Sequence, residues 1–324
     1  MNDFLIYREP QSNQVIRVTG QFELLEKGTK PSGFVVSDFL HQHIFTFKQE
    51  GEFNADHPLH FGENKPVSIS HRDYQIEAQA FLNAFPLLNI QKAVYSRVKI
   101  AVFPTNKTLD LFQKLETKYP NAFCYLISSK QFGTWIGATP ELLFEQQGMV
   151  CKTVALASTH DANDHSNWTQ KEQEEHDFVV QAIHEALQTN ECIEIEKNGP
   201  FEHTAGPVVH LKTDFQALLT KPNAWEIVNS LHPTPAVCGT PRNAAIQLIE
   251  SREMHQRELY TGFIGWFEEG NSRLFVNLRC AQLFKNRASL YVGGGFTIDS
   301  IPDLEWEETE RKAETLLQFI QELK

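Results

Sequence analysis

Short strand-like runs recur along the whole of this chain, and the helical patterns between them are too few to alternate with them one for one. Runs rich in β-branched and aromatic residues fall at 14–19, 93–103, 122–128, 150–157, 261–267, 274–283 and 289–297. Helical periodicity falls only at 71–88, 170–187, 241–253 and 304–323. A doubly wound parallel sheet needs a crossover helix between successive strands. The pattern therefore predicts an α+β fold with largely antiparallel sheets. No repeat and no Pro/Gly/Ser linker divides the 324 residues, so one domain is expected, with the polar tract 161–168 as a surface loop.

The formal net charge is −12, which argues against a partner held through phosphate contacts, since a nucleic-acid binder needs a basic face. An anionic ligand would need its own local nest of cations. Residues 1–10 mix charges with short apolar runs, and no stretch approaches a membrane span, so a cytoplasmic protein is expected. The five cysteines are scattered without metal-type spacing and read as reduced core thiols.

Two helical segments carry carboxylates in a repeated arrangement. Thr169 followed by Glu172 is a capping-box signature, which by itself accounts for Glu172. Glu175, however, continues a stripe through Val179, Ala182 and Ala186, which would turn both acids inward. In the last helix Glu305 and Glu308 are again three apart, with Lys312 one turn later. The plainer reading is a solvated Glu–Lys pair. Two inward acidic pairs instead suit a hard divalent cation, Mg2+, because carboxylates repel unless a cation separates them.

Gly293, Gly294 and Gly295 end a strand and precede that helix. They do not fit a dinucleotide fingerprint, but bare backbone admits an anion that side chains would obstruct. Arg279 interrupts an apolar run, and its planar fork suits a carboxylate.

The segments FGTWIGATPELL (132–143), LHPTPAVCGTP (231–241), RELYTGFIGW (257–266) and 293–312 closely resemble the signature blocks of the chorismate-utilising enzymes, in that family's order. The likeness covers residues 70–324; residues 1–69 are shorter than usual and carry no signature. The resemblance implies two large antiparallel sheets packed face to face with helices outside. It implies Mg2+ as cofactor, with Glu175 and Glu308 as direct ligands and Glu172 and Glu305 as their outer partners. Thr159, Gly293, Gly295 and Lys312 match positions that hold the ring carboxylate of chorismate, and Arg279 and Tyr260 match those that grip the enolpyruvyl carboxylate. His232 resembles the family's active-site histidine, although a lone histidine is more often structural.

The branches of this family differ in nucleophile. Lys92 matches the lysine of the water-using branch, where it is general base, and Glu141 matches the acid that protonates the departing hydroxyl. Such a pair works near neutral pH only out of water, because burial disfavours either charged form. Ala157 stands where the aminodeoxychorismate-type relatives carry a reactive lysine. The implied activity is isochorismate formation, with salicylate synthesis as the nearest alternative; whether a menaquinone or a siderophore route is served stays open. Nothing in the sequence suggests an obligate interface, so a monomer is expected. Ser158 departs from the family's glycine, so the loop it occupies is in question if that position needs φ > 0.

Overall fold

A computed structural model describes residues 2–54, 57–62, 65–161, 166–205 and 208–324, with the backbone alone at 159–161 and 205. Of the tract 161–168, residues 162–165 lie outside the described residues. Among the described residues, sixteen strands hydrogen-bond in one unbroken antiparallel order. The first half runs β10 (Ile193–Ala205), β11 (Val208–Leu218), β9 (Val150–Asp161), β8 (Leu142–Gln147), β14 (Asn271–Val276) and β13 (Phe263–Phe267). The middle is β3 (Gly33–Ser37), β4 (Ile44–Glu52), β2 (Val15–Leu24) and β1 (Asp3–Arg8). The last half is β6 (Phe123–Ser129), β7 (Gly133–Thr139), β15 (Cys280–Phe284), β16 (Arg287–Thr297), β5 (Lys92–Val102) and the short β12 (Gly239–Thr240).

This ribbon doubles back so that its halves face each other, which is the form in which the two facing sheets are realised. Phe123 of β6 stacks on Phe275 of β14 with centroids 4.8 Å apart, although five strands separate the two in the hydrogen-bonded order. Beside them the Tyr125 hydroxyl donates to Asn277 Oδ1 at 2.6 Å. The N-terminal segment, where the sequence shows no signature, supplies the strands that join the halves.

Strands of such a layer are buried on both faces and read as unbroken apolar runs. In β6, Phe123, Tyr125 and Ile127 point into an aromatic core between the halves, while Cys124 and Leu126 point outward. In β16, Tyr291 faces that core and Leu290 and Val292 face away. The outward residues meet α3 (Thr108–Lys118) and α7 (Pro302–Glu322). On the opposite outer face, α4 (Gln170–Thr189) and α5 (Ala224–Leu231) cover β8, β9, β13 and β14. The helix expected over 71–88 is two, α1 (His71–Asn83) and α2 (Phe85–Leu88), because Pro86 cannot continue α1 but fits the first turn of α2. With α6 (Arg242–Arg252), α1 covers the β5 edge.

The strand expected over 274–283 is also two. β14 pairs with β8 and β13, whereas β15 pairs with β7 and β16, so the chain crosses between the facing halves at Asn277–Leu278–Arg279. A second crossing, Pro140–Glu141, joins β7 to β8. The two crossings are tied together: Ala138 N–H donates to Arg279 O (3.2 Å), Val276 N–H donates to Glu141 O (2.9 Å), and the Thr139 hydroxyl donates to Val276 O (2.6 Å). Thr139 also accepts from Glu141 N–H at 3.3 Å. Replacing Thr139 by Val, which keeps the shape but removes the hydroxyl, is expected to cost about 1–3 kcal/mol in a denaturant titration. Thr139→Ser should restore most of it.

Candidate active site

The crossings and the start of β5 bring the chemistry to one cavity of about 90 Å3 between the halves. Lys92, Glu141, Glu175, Tyr260, Arg279, Gly293, Gly295, Glu308 and Lys312 all line it. Lys92 opens β5, Glu141 and Arg279 sit at the two crossings, Glu175 comes from α4, and Glu308 and Lys312 come from α7. The glycine run explains how they fit. A Cβ on Gly295 would stand 2.6 Å from Glu175 Oε1, and one on Gly294 would stand 2.8 Å from Glu305 Oε2. Successive residues of a strand face opposite ways. Glu175 thus reaches β16 from the cavity side and Glu305 from behind.

Lys92 is 1% exposed, and its Nζ meets Glu175 Oε1 at 2.9 Å. Lys312 Nζ meets Glu308 Oε1 at 2.5 Å and donates to Gly293 O at 2.9 Å. Among the described residues Glu141 makes no such ion pair, and burial pushes its carboxyl up to about 7, against the opposing pull of Lys92, Lys312 and Arg279. Glu308 takes the other course: burial raises it, but the charge and hydrogen bond of Lys312, with smaller pulls from neighbouring cations, hold it below its ordinary value. Two carboxyls in one cavity are thereby pushed apart, one toward the acid form and one toward the anion.

Tyr260 lies flat against Tyr291, with centroids 5.6 Å apart, and its N–H donates to the carbonyl of Arg257 at 2.8 Å. Arg257 donates to both oxygens of Glu253 (2.7 and 2.9 Å) and to the carbonyls of Val94 and Val237. Arg257 belongs to a signature block but gave no sign of this role in the sequence. His210, on β11, also lines the cavity and escaped the sequence reading, since one histidine in an alternating strand looks like any exposed position. Its Nδ1 lies 3.0 Å from Ser158 O, and burial followed by the charges of Arg279 and Lys312 lowers it to about 3, so it is neutral.

Two of the expected residues, His232 and Glu172, are placed away from the cavity, and the side chain of a third, Thr159, lies outside the described residues. His232 does not line the cavity: it is buried beside His41 and Phe263 with Nε2 3.1 Å from Phe39 O, and desolvation lowers it to about 3. Glu172 forms the capping box, its Oε2 accepting from Thr169 N (2.8 Å) and Oγ1 (2.7 Å), because it occupies the third position of α4. The Thr159 side chain lies outside the described residues, although its backbone pairs with His210. Next to it Ser158 has φ +58°, the left-handed conformation that favours glycine. The Ser158 hydroxyl donates to Glu172 O at 2.6 Å, which offsets that strain and ties β9 to the start of α4.

As the side chains stand, no three His, Cys, Asp or Glu groups among the described residues converge on a metal position. Glu175 and Glu308 are each turned onto a lysine instead. The chemistry of the acidic group nevertheless suits a hard cation. Glu305 is pushed up to about 8, chiefly by burial and then by Glu308, with Glu175 adding to it, so these carboxyls crowd one another without a cation between them. All are oxygen donors, as Mg2+ requires.

The sequence model described as chorismate binding enzyme matches residues 26–321, which takes in much of the N-terminal part that carries no motif. The isochorismate synthase EntC of Escherichia coli (strain K12) is 31% identical over 260 residues, 76% of this chain and 66% of that protein. The vibriobactin-specific isochorismate synthase of Vibrio cholerae is 30% identical over 265 residues, 77% of this chain and 67% of that protein. The chain thus spans about two thirds of the length of these relatives. MenF, the menaquinone-specific isochorismate synthase from Escherichia coli, has the same fold at TM-score 0.81 and 19% identity, covering 98% of this chain and 88% of that one. Fold, motifs and sequence model agree, and the chain belongs to the chorismate binding enzyme family.

Proposed function

We propose that the chain isomerises chorismate to isochorismate, adding water at ring carbon 2 and releasing the hydroxyl of carbon 4. The observation that carries the proposal is a buried amine and a buried carboxyl lining one cavity, Lys92 and Glu141, with Arg279, Tyr260 and Lys312 beside them. The names of the curated relatives support the same reading.

In this reading Lys312 and the bare backbone at Gly293 and Gly295 receive the ring carboxylate, and Arg279 with Tyr260 receives the enolpyruvyl carboxylate. Lys92 takes a proton from the attacking water. The ring double bonds shift, and the carbon 4 hydroxyl leaves as water with the proton of Glu141. One proton is gained by Lys92 and one lost by Glu141, so exchange with solvent resets the pair. A carboxyl pushed up to about 7 is suited to donate near neutral pH. Glu175 and Glu308 are the residues that would hold Mg2+, with Glu305 behind them and Glu172 retained in its helix cap. Bound Mg2+ would neutralise the ring carboxylate and orient it. His232 takes no part.

Purified protein given chorismate and Mg2+ should yield isochorismate as the main product by HPLC; salicylate and pyruvate as main products would reassign it to salicylate synthesis. Lys92→Ala and Glu141→Gln should each lower kcat about 10²–10⁴-fold with KM changed only a few-fold. Because Glu141 must carry its proton, kcat/KM of the unaltered protein should fall as pH rises through about 7. Glu308→Gln should raise the Mg2+ concentration needed for half-maximal thermal stabilisation by the ion; an unaltered titration would remove Glu308 as a ligand.

A further inference from the structure

Beside the catalytic cavity lies a much larger cleft of about 1220 Å3, and the two share Pro140, Leu156 and Arg279 as lining residues. Residues of β9, β11 and β10 line it together with the segment 118–122. On β9, Lys152, Val154 and Leu156 share one face, so this strand leads from the cleft to the cavity in about 13 Å.

The charge lining the cleft is opposite to that of the chain. Six cationic side chains, those of Lys118, Lys152, Lys197, Lys212, Arg273 and Arg279, line it against two acidic ones, Glu196 and Asp214, in a protein of net charge −12. Lys212 is paired with Asp214, and Arg273 with Glu9 and Glu145. Lys118, Lys152 and Lys197 are exposed and have no carboxylate within ion-pair distance among the described residues. None of the three touches the catalytic cavity. Clefts lined by one sign of charge concentrate ligands of the other and raise their association rates.

We propose that this cleft is the path by which a small dianion reaches and leaves the catalytic cavity, and that Lys118, Lys152 and Lys197 draw it in through long-range attraction. The dianion is chorismate if the functional reading above holds, and the cleft assignment rests on that reading only for the identity of the ligand. An acidic protein would otherwise repel such a substrate. Three exposed cations on different elements restore a local attraction without being bound to any group.

The test is the variant Lys118→Glu/Lys152→Glu/Lys197→Glu, all at exposed positions. At low ionic strength its KM for chorismate should rise about tenfold with kcat within about twofold, and the difference should shrink toward unity near 0.5 M salt, where screening acts over a few Å. Unchanged KM and salt dependence would overturn the proposal. A second measurement does not depend on turnover. Gln216→Cys places one exposed thiol on the cleft wall, in a chain whose five native cysteines are buried. Relative to free cysteine, it should react several-fold faster with an anionic aromatic disulfide than with an uncharged one, and charge reversal at the three lysines should abolish the preference. No preference in the parent background would overturn the cleft assignment. A preference without chorismate turnover would retain it and discard the substrate.

Discussion

The site depends on two places where the chain leaves one face of the sandwich and joins the other. At 139–142 and at 276–280 a strand ends in one half and its successor begins in the opposite half, and backbone hydrogen bonds fasten the two crossings together. Each crossing presents a single ionisable side chain to the gap between the layers, Glu141 from one and Arg279 from the other. Arg279 has φ +50°, a conformation that an arginine adopts only where its surroundings hold it. The network of Asn277, Tyr125, Thr139 and Leu259 provides that restraint, with Asn277 Nδ2 donating to Leu259 O at 2.8 Å and its Oδ1 accepting from Tyr125. Loop residues thus acquire the rigidity of a core, because the gap in which they sit is packed on both sides.

Charge in this interior is arranged by pairing. Buried Lys92 and Arg257 and half-buried Lys312 each have a carboxylate within 3 Å, so none of these cations is isolated. Glu141 lacks such a partner and is correspondingly pushed toward its neutral form. Glu141 and Glu308 therefore differ, within one small volume, in which protonation form their surroundings favour. Glu175 and Glu308 are held by lysines that line the same cavity, so the same amines that balance the acids are those facing any bound anion.

Much of this was legible in the sequence because the chemistry sits in contiguous motifs. The bare backbone at Gly293–Gly295 admits close approach, and the Glu175 and Glu305 carboxylates do approach Gly295 and Gly294. Glu175, Glu308 and Lys312 advance at helical spacing, and they share a cavity. What was not legible depends on long-range folding. The run 274–283 reads as one strand, since polar Asn277 and Arg279 interrupt it no more than an exposed alternation would; only the pairing of its ends with different halves shows a crossing. His232 lies in a signature block yet faces Phe263, whereas His210 lies in no motif and faces the cavity. Glu172 satisfied both a capping pattern and an inward stripe, and the local pattern prevailed because its partners were three residues away. The serine at 158 retains the left-handed backbone of the glycine it replaces, aided by a hydrogen bond that no local pattern announces.

The alternation along β16 has a further consequence for how this chain can change. Tyr291, Gly293 and Gly295 face one way, and Leu290, Val292 and Gly294 face the other. Insertion or deletion of one residue within this strand would exchange the faces, driving a valine toward the reaction space and an aromatic ring toward α7. Length variation is therefore confined to the hairpin at Lys285–Asn286, where the chain turns between β15 and β16. The strand acts as a ruler, and descendants of this sequence can trade its side chains but not its count.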